Sequence, residues 1–187
     1  MKKYLLAVFV AVLSITCLSS YSFGIDEVKK LLAHNLCLFC DLSGANLEGV
    51  DLSDALLFRA DLSNVNLYGA NLMEANLRGA DLTGTNLSDA LLLRADLSYA
   101  NLQGANLTGT NLSRAGLTET NLSDALLLRA DLSYANLQGA NLSKADLAGA
   151  NLTGADLTGT MLRRADLGGA ILCQTKTPWG EDNSDCK

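Results

Sequence analysis

Leucine occupies every fifth position from Leu42 to Leu172, 27 times in succession. Neither regular secondary structure can bury such a set on one face. On an α-helix, five steps turn a side chain about 140° from its start, so the leucines would circle the axis. On a strand, five is odd, so successive leucines would point to opposite sides. Burying all of them requires a chain that turns once per repeat and stacks on itself, a solenoid. Two residues before each leucine stands a small residue, usually Ala, and the residue directly before it is Asn or Asp in 21 of the 27 repeats. Asn and Asp at that spacing are expected to bond neighbouring backbone at turns. Gly follows two residues after the leucine in 12 repeats, which suits a tight turn.

Stretches such as Ala45-Asn46-Leu47-Glu48-Gly49 and Ala155-Asp156-Leu157-Thr158-Gly159 follow the pattern A-(D/N)-L-x-x. In this the chain resembles the pentapeptide-repeat family over residues 40–174, about 72% of its length. The resemblance implies an all-β solenoid: a right-handed quadrilateral β-helix with four repeats per coil, about 6.75 coils in all. The central Leu and the small residue before it would point inward, the other three positions outward. At about 4.8 Å per coil the rod would be about 32 Å long. Thr85, Thr110, Thr120 and Thr160, with Val50 and Val65, fall at inward small positions. Buried threonine hydroxyls there should bond to backbone.

A second period overlies the first. Asn86–Leu107 is identical to Asn121–Leu142, a spacing of 35 residues or seven repeats. Seven is not a multiple of four, so each copy should land one face around from its twin. The identity then reads as duplication rather than as one straight, repeated binding site.

Residues 1–24 read as a secretory signal peptide. Lys2 and Lys3 precede an apolar run from Tyr4 to Leu18, and small residues make cleavage after Ser22 or Gly24 plausible. The run is shorter than the ~20 residues a membrane span needs, so no stable span is expected after cleavage. The expected product is exported, periplasmic or secreted. Net charge is −6, more negative once Lys2 and Lys3 leave, which disfavours binding nucleic-acid phosphate.

Both solenoid ends need covering. Residues 25–39 are read as a short N-terminal α-helical cap and a CxxC junction: Asp26 can start the helix, and Val28, Leu31 and Leu32 have amphipathic spacing. His34, the only histidine, is an end-of-helix residue in this reading. Cys37 and Cys40 stand at inward positions and form a disulfide or a buried thiol pair; a zinc site would need two further ligands, and Cys173 and Cys186 lie at the far end of the rod. A Cys173–Cys186 bridge would close a 14-residue loop in the tail, worth about 3 kcal/mol. Residues 175–187 are read as a capping tail, with Trp179 over the last coil and the protein monomeric.

No catalytic constellation, cofactor motif or metal set emerges. The glycines follow the repeat rather than forming a phosphate loop, and no triad can be centred on a histidine other than His34. Asp41, Asp61 and Asp81 should stack on one face, where turn-making is the expected role and cation or acid–base chemistry the alternative. The repeats centred on Leu72, Leu92, Leu112 and Leu132 share a face that presents Met73, Leu91, Leu93, Arg94, Arg114 and Tyr134 outward. Apolar residues beside Arg and Tyr make this the candidate site for a protein partner. The expected function is that of a non-catalytic scaffold or protein-interaction module. The alternative, implied by the resemblance, is a DNA mimic that binds DNA gyrase and confers quinolone tolerance. An enzyme acting on polysaccharide would need paired carboxylates in a cleft, which a convex rod does not offer.

Overall fold

The computed structural model describes residues 22–186, so the expected signal peptide lies outside the described residues apart from its last three. The described residues begin with helix α1, Ser22–His34. Leu31 is fully buried in the main core cluster, and Val28 and Leu32 pack against it. The helix starts ahead of Ile25, which puts Asp26 inside it, 3.7 Å from Lys29, rather than at its beginning. It ends at Asn35, whose left-handed φ of 55° turns the chain while its N–H donates to the Leu31 carbonyl at 2.7 Å.

From there the chain winds. Parallel bridges join residues 20 apart, in an unbroken series from Leu36↔Leu56 to Asp156↔Lys176. Twenty residues are four pentapeptides, so each repeat forms one side of a four-sided coil. Each side contributes a single bridging residue before the chain turns again. The walls are therefore isolated bridges, and among the described residues strands proper occur only in the tail, because a turn every five residues leaves no room for a longer extended run. The bonding recurs regularly: Leu42 N–H donates to the Asp61 carbonyl, and Asp61 N–H donates back to Cys40, each at 2.8 Å.

The turn is stricter than the glycine count implies. The second residue after every leucine has positive φ, in all 27 repeats, although 15 of those residues are not Gly. The reason lies in the hydrogen bonds. The left-handed residue aims its N–H along the rod, as Arg94 does toward Ser113 at 3.1 Å and Tyr134 toward Thr153 at 2.8 Å. Each non-glycine residue there bears roughly 1–2 kcal/mol of local strain, offset by that bond from Asp54 to Lys144 but not at Arg164, whose N–H has no acceptor among the described residues.

Inside, the leucines from Leu42 to Leu157 are at most 1% exposed. The inward threonines bond to backbone as expected: Thr85 donates to Leu62, Thr110 to Leu87, Thr120 to Leu97 and Thr160 to Leu157, all within 2.9 Å. Where Asn or Asp precedes the leucine it closes the turn, its Oδ1 accepting the N–H two residues on, as Asp61 does from Ser63 at 2.9 Å. Asparagines also ladder along the rod: Asn66 donates to Asn46, Asn86 to Asn66 and Asn106 to Asn86, at 3.0–3.3 Å.

The wall continues past the last leucine. β1, Thr175–Thr177, carries buried Thr175 and Thr177, and the Thr175 hydroxyl donates to the Leu152 carbonyl at 2.7 Å. β1 then pairs antiparallel with β2, Gly180–Asp182, through a tight turn at Pro178-Trp179. That turn points away from the core, so Trp179 is 65% exposed and does not cover the last coil as expected. No helix among the described residues is long and apolar enough to cross a membrane.

Candidate functional site

The 20-residue coil puts the six outward residues of the expected site on one face. Met73 and Leu93 occupy the same turn position in consecutive coils, as do Arg94, Arg114 and Tyr134 in three consecutive coils. Leu91 is 41% and Tyr134 56% exposed, while Met73 and Leu93 are half-buried. Arg94 pairs with Glu74 one coil earlier at 3.3 Å, an exposed pair of small energetic weight. Arg114 lies over the Tyr134 ring, 5.8 Å from its centroid. Tyr134 in turn lies across Gly154, where a Cβ would meet the ring at 2.6 Å, so a larger residue there would displace the ring. Residues of opposite character thus run down one face: a carboxylate, two guanidiniums and a ring.

The carboxylate column is also present. Asp41, Asp61 and Asp81 bridge in succession. The Oδ1 of each accepts an N–H within its own turn: Asp41 from Ser43, Asp61 from Ser63, Asp81 from Thr83. The Ser43 hydroxyl and backbone N–H hold Asp41 below the usual carboxylate range, the opposite of what a general acid needs. These groups act as turn residues.

Two disulfides are formed, Cys37–Cys40 and Cys173–Cys186. Cys37 and Cys40 take the inward Leu and Ala positions of the first coil and are 0% and 6% exposed. Helix α1 places Glu27 beside them, with its Oε2 3.6 Å from the Cys37 sulfur. The three residues form a compact group, but its sulfurs are bonded to each other, and the thiolate is the metal-binding form of cysteine.

One feature escaped the linear reading. Phe39, Phe58, Arg59, Arg78 and Tyr99 converge at one corner of the first coils. Phe39 meets Phe58 edge-on at 5.5 Å, Arg59 covers Phe58 at 5.3 Å and Arg78 covers Tyr99 at 4.7 Å. Writing the sequence on a 20-residue grid would have shown it, since the turns at 38–39, 58–59, 78–79 and 98–99 stack.

A coil of four five-residue sides around a leucine axis defines the molecule as a β-solenoid repeat protein. The pentapeptide-repeat family model matches residues 39–73, 75–114, 110–147 and 140–176, and the chain belongs to that family. Among solved structures it is similar to HetL, a pentapeptide repeat protein involved in heterocyst differentiation regulation in the cyanobacterium Nostoc sp. strain PCC 7120. The identity is 33%, covering 78% of this chain and 86% of that one, with a TM-score of 0.31. A pentapeptide repeat protein of the Arabidopsis thaliana thylakoid lumen is 28% identical over 78% of this chain and 76% of its own, with a TM-score of 0.41. QnrB1, a plasmid-mediated fluoroquinolone resistance protein, is 25% identical in a trypsin-treated form over 72% of this chain and 78% of its own, with a TM-score of 0.42. No curated protein sequence matches significantly.

Proposed function

We propose that this pentapeptide-repeat protein is exported and non-catalytic, and that its rod is a rigid scaffold for binding another protein. The reading includes cleavage of residues 1–24, a right-handed rod of about 6.75 coils over residues 40–174, an N-terminal helical cap and a capping tail after residue 174. The face bearing Met73, Leu91, Leu93, Arg94, Arg114 and Tyr134 is the proposed contact surface. The observation that carries it is the column Arg94, Arg114 and Tyr134, stacked in three consecutive coils with Arg114 over the exposed Tyr134 ring, 5.8 Å from its centroid. An Arg and Tyr column next to exposed Leu91 has the composition of a binding hot spot rather than that of a solvated wall.

Two disulfides favour an oxidising compartment over the cytoplasm. They weigh against the alternative, a DNA mimic acting on cytoplasmic gyrase, which has only the acidic charge and rod form in its favour. The test is localisation of the mature protein followed by crosslinking, with wild type beside Leu93→Ser/Arg94→Glu. Loss of the crosslinked partner in the variant is expected. Retention of every partner by the variant, or recovery of uncleaved protein from the cytoplasm, overturns the reading.

A further inference from the structure

We propose that the corner of the first coils formed by Leu38, Phe39, Leu56, Phe58, Arg59, Arg78 and Tyr99 docks an acidic segment of a partner protein that carries an apolar anchor. The proposal rests on the reading of the rod as an interaction module but places the contact on a different surface. Leu38, Phe39, Leu56 and Tyr99 are 46%, 65%, 46% and 54% exposed, large apolar side chains gathered on the first coils. Leu38 and Phe39 sit inside the Cys37–Cys40 loop, whose sulfurs are buried in the axis, so this turn is held rigidly at its base. A preformed apolar platform loses little side-chain freedom on binding. Phe39, Arg59 and Tyr99 also occupy the left-handed turn position, at φ of 55°, 53° and 62°.

Charge identifies the partner. Arg94, Lys144 and Lys176 each pair with a carboxylate one coil earlier, Glu74, Asp124 and Asp156. Arg59 and Arg78 have rings as neighbours instead, and among the described residues neither makes an ion pair. A guanidinium stacked on a ring keeps its in-plane donors free, the geometry that receives a carboxylate. The next carboxylate along this corner turns away: Glu119 leans over Gly139, where its Oε1 would lie 2.6 Å from an added Cβ. On the adjoining side the Asp41, Asp61 and Asp81 column repels anions, so the partner's acidic groups must lie along the Arg59–Arg78 line. The same column, on a chain of net charge −6, disfavours an anionic lipid surface as the occupant.

The test is panning a random dodecapeptide library against the full mature protein. Enriched peptides should combine Asp or Glu with Leu, Phe or Trp. Their affinity should fall about tenfold or more on Phe39→Ser, on Tyr99→Ser and on Arg59→Glu/Arg78→Glu, and stay unchanged on Lys144→Ala, an exposed position outside both surfaces. All of these are exposed positions, and matching melting curves verify folding. Enrichment of basic peptides, wild-type affinity in the corner variants, or binding to phosphatidylglycerol vesicles in place of peptide overturns the proposal. Peptides lost only on Leu93→Ser/Arg94→Glu sink this docking corner and leave the interaction reading standing. No enrichment by any variant or wild type counts against both.

Discussion

The two ends of the rod face the same physical problem and meet it differently. A solenoid end exposes apolar axis residues and unpaired backbone. At the N-terminal end, α1 inserts Leu31 fully into the core, and the first-coil axis residues Cys37, Leu42 and Leu47 are as buried as those in mid-rod. At the C-terminal end, Leu162, Ala165, Leu167, Ala170 and Leu172 are only partly buried. The tail reaches one side of that coil. Asp185 and Asn183 accept from the N–H groups of Leu172 and Gln174, at 3.0 and 3.1 Å. The N–H groups of Leu162, Arg164, Leu167 and Gly169 find no acceptor among the described residues, whereas their counterparts one coil earlier all do. A helix brings an apolar stripe with its own hydrogen bonds satisfied. A short hairpin pinned by a disulfide brings few apolar side chains, and its Trp179 points outward. Covering an end thus depends on apolar surface delivered, not on the number of residues placed there.

The contrast yields an ordered set of outcomes. Leu31→Ala should cost about 2–5 kcal/mol in urea unfolding, and Leu167→Ala at the open end clearly less; equal costs would erase the distinction between the ends. Cys186→Ser should cost about 3 kcal/mol by chain entropy, against about 2 kcal/mol for Cys40→Ser, whose loop is shorter. Hydrogen exchange should separate neighbouring coils: the amides of Leu162, Arg164, Leu167 and Gly169 exchanging far faster than those of Leu142, Lys144, Leu147 and Gly149.

Acid should loosen the C-terminal end first. Desolvation raises the Asp156 pKa, but hydrogen bonds from Thr158 and Gln138 and the Lys176 ammonium outweigh it and hold the group at about 2. The folded value lies below the unfolded one, so this contribution is fully present above about pH 4 and lost as pH falls through about 2. It should be on the order of 1 kcal/mol after solvent screening, and absent in Asp156→Asn. The smallest effect is Arg129→Gly, where φ is 55°. Relief of left-handed strain, less the added freedom of the unfolded chain, should stabilise by about 0.5 kcal/mol, and less for Arg164→Gly at the open coil.

The duplicated block shows how far the linear sequence reaches. Leu91-Leu92-Leu93-Arg94 and Leu126-Leu127-Leu128-Arg129 are identical in composition and order. On the 20-residue coil they fall on different faces, as the 35-residue spacing requires. Arg94 pairs with Glu74, while Arg129 lies over Gly149. The inward leucines, the threonine bonds and the Asn/Asp turns were legible because each follows from a local repeat, and the tail disulfide because Cys173 and Cys186 close a short loop beyond it. The aromatic corner was not, since Phe39, Phe58, Arg78 and Tyr99 become neighbours only across coils. Glu27 beside the Cys37–Cys40 bridge was hidden for the same reason: nothing in the repeat says where α1 packs.

The five-residue leucine period alone determined the solenoid and which residues line its axis, because no regular helix or strand can bury that period. The tertiary structure decided what each outward side chain stands beside, which turns are strained without glycine, and how well each end is covered. Those depend on contacts between residues 20 apart and on the packing of segments outside the repeat, and a local pattern carries no information about either.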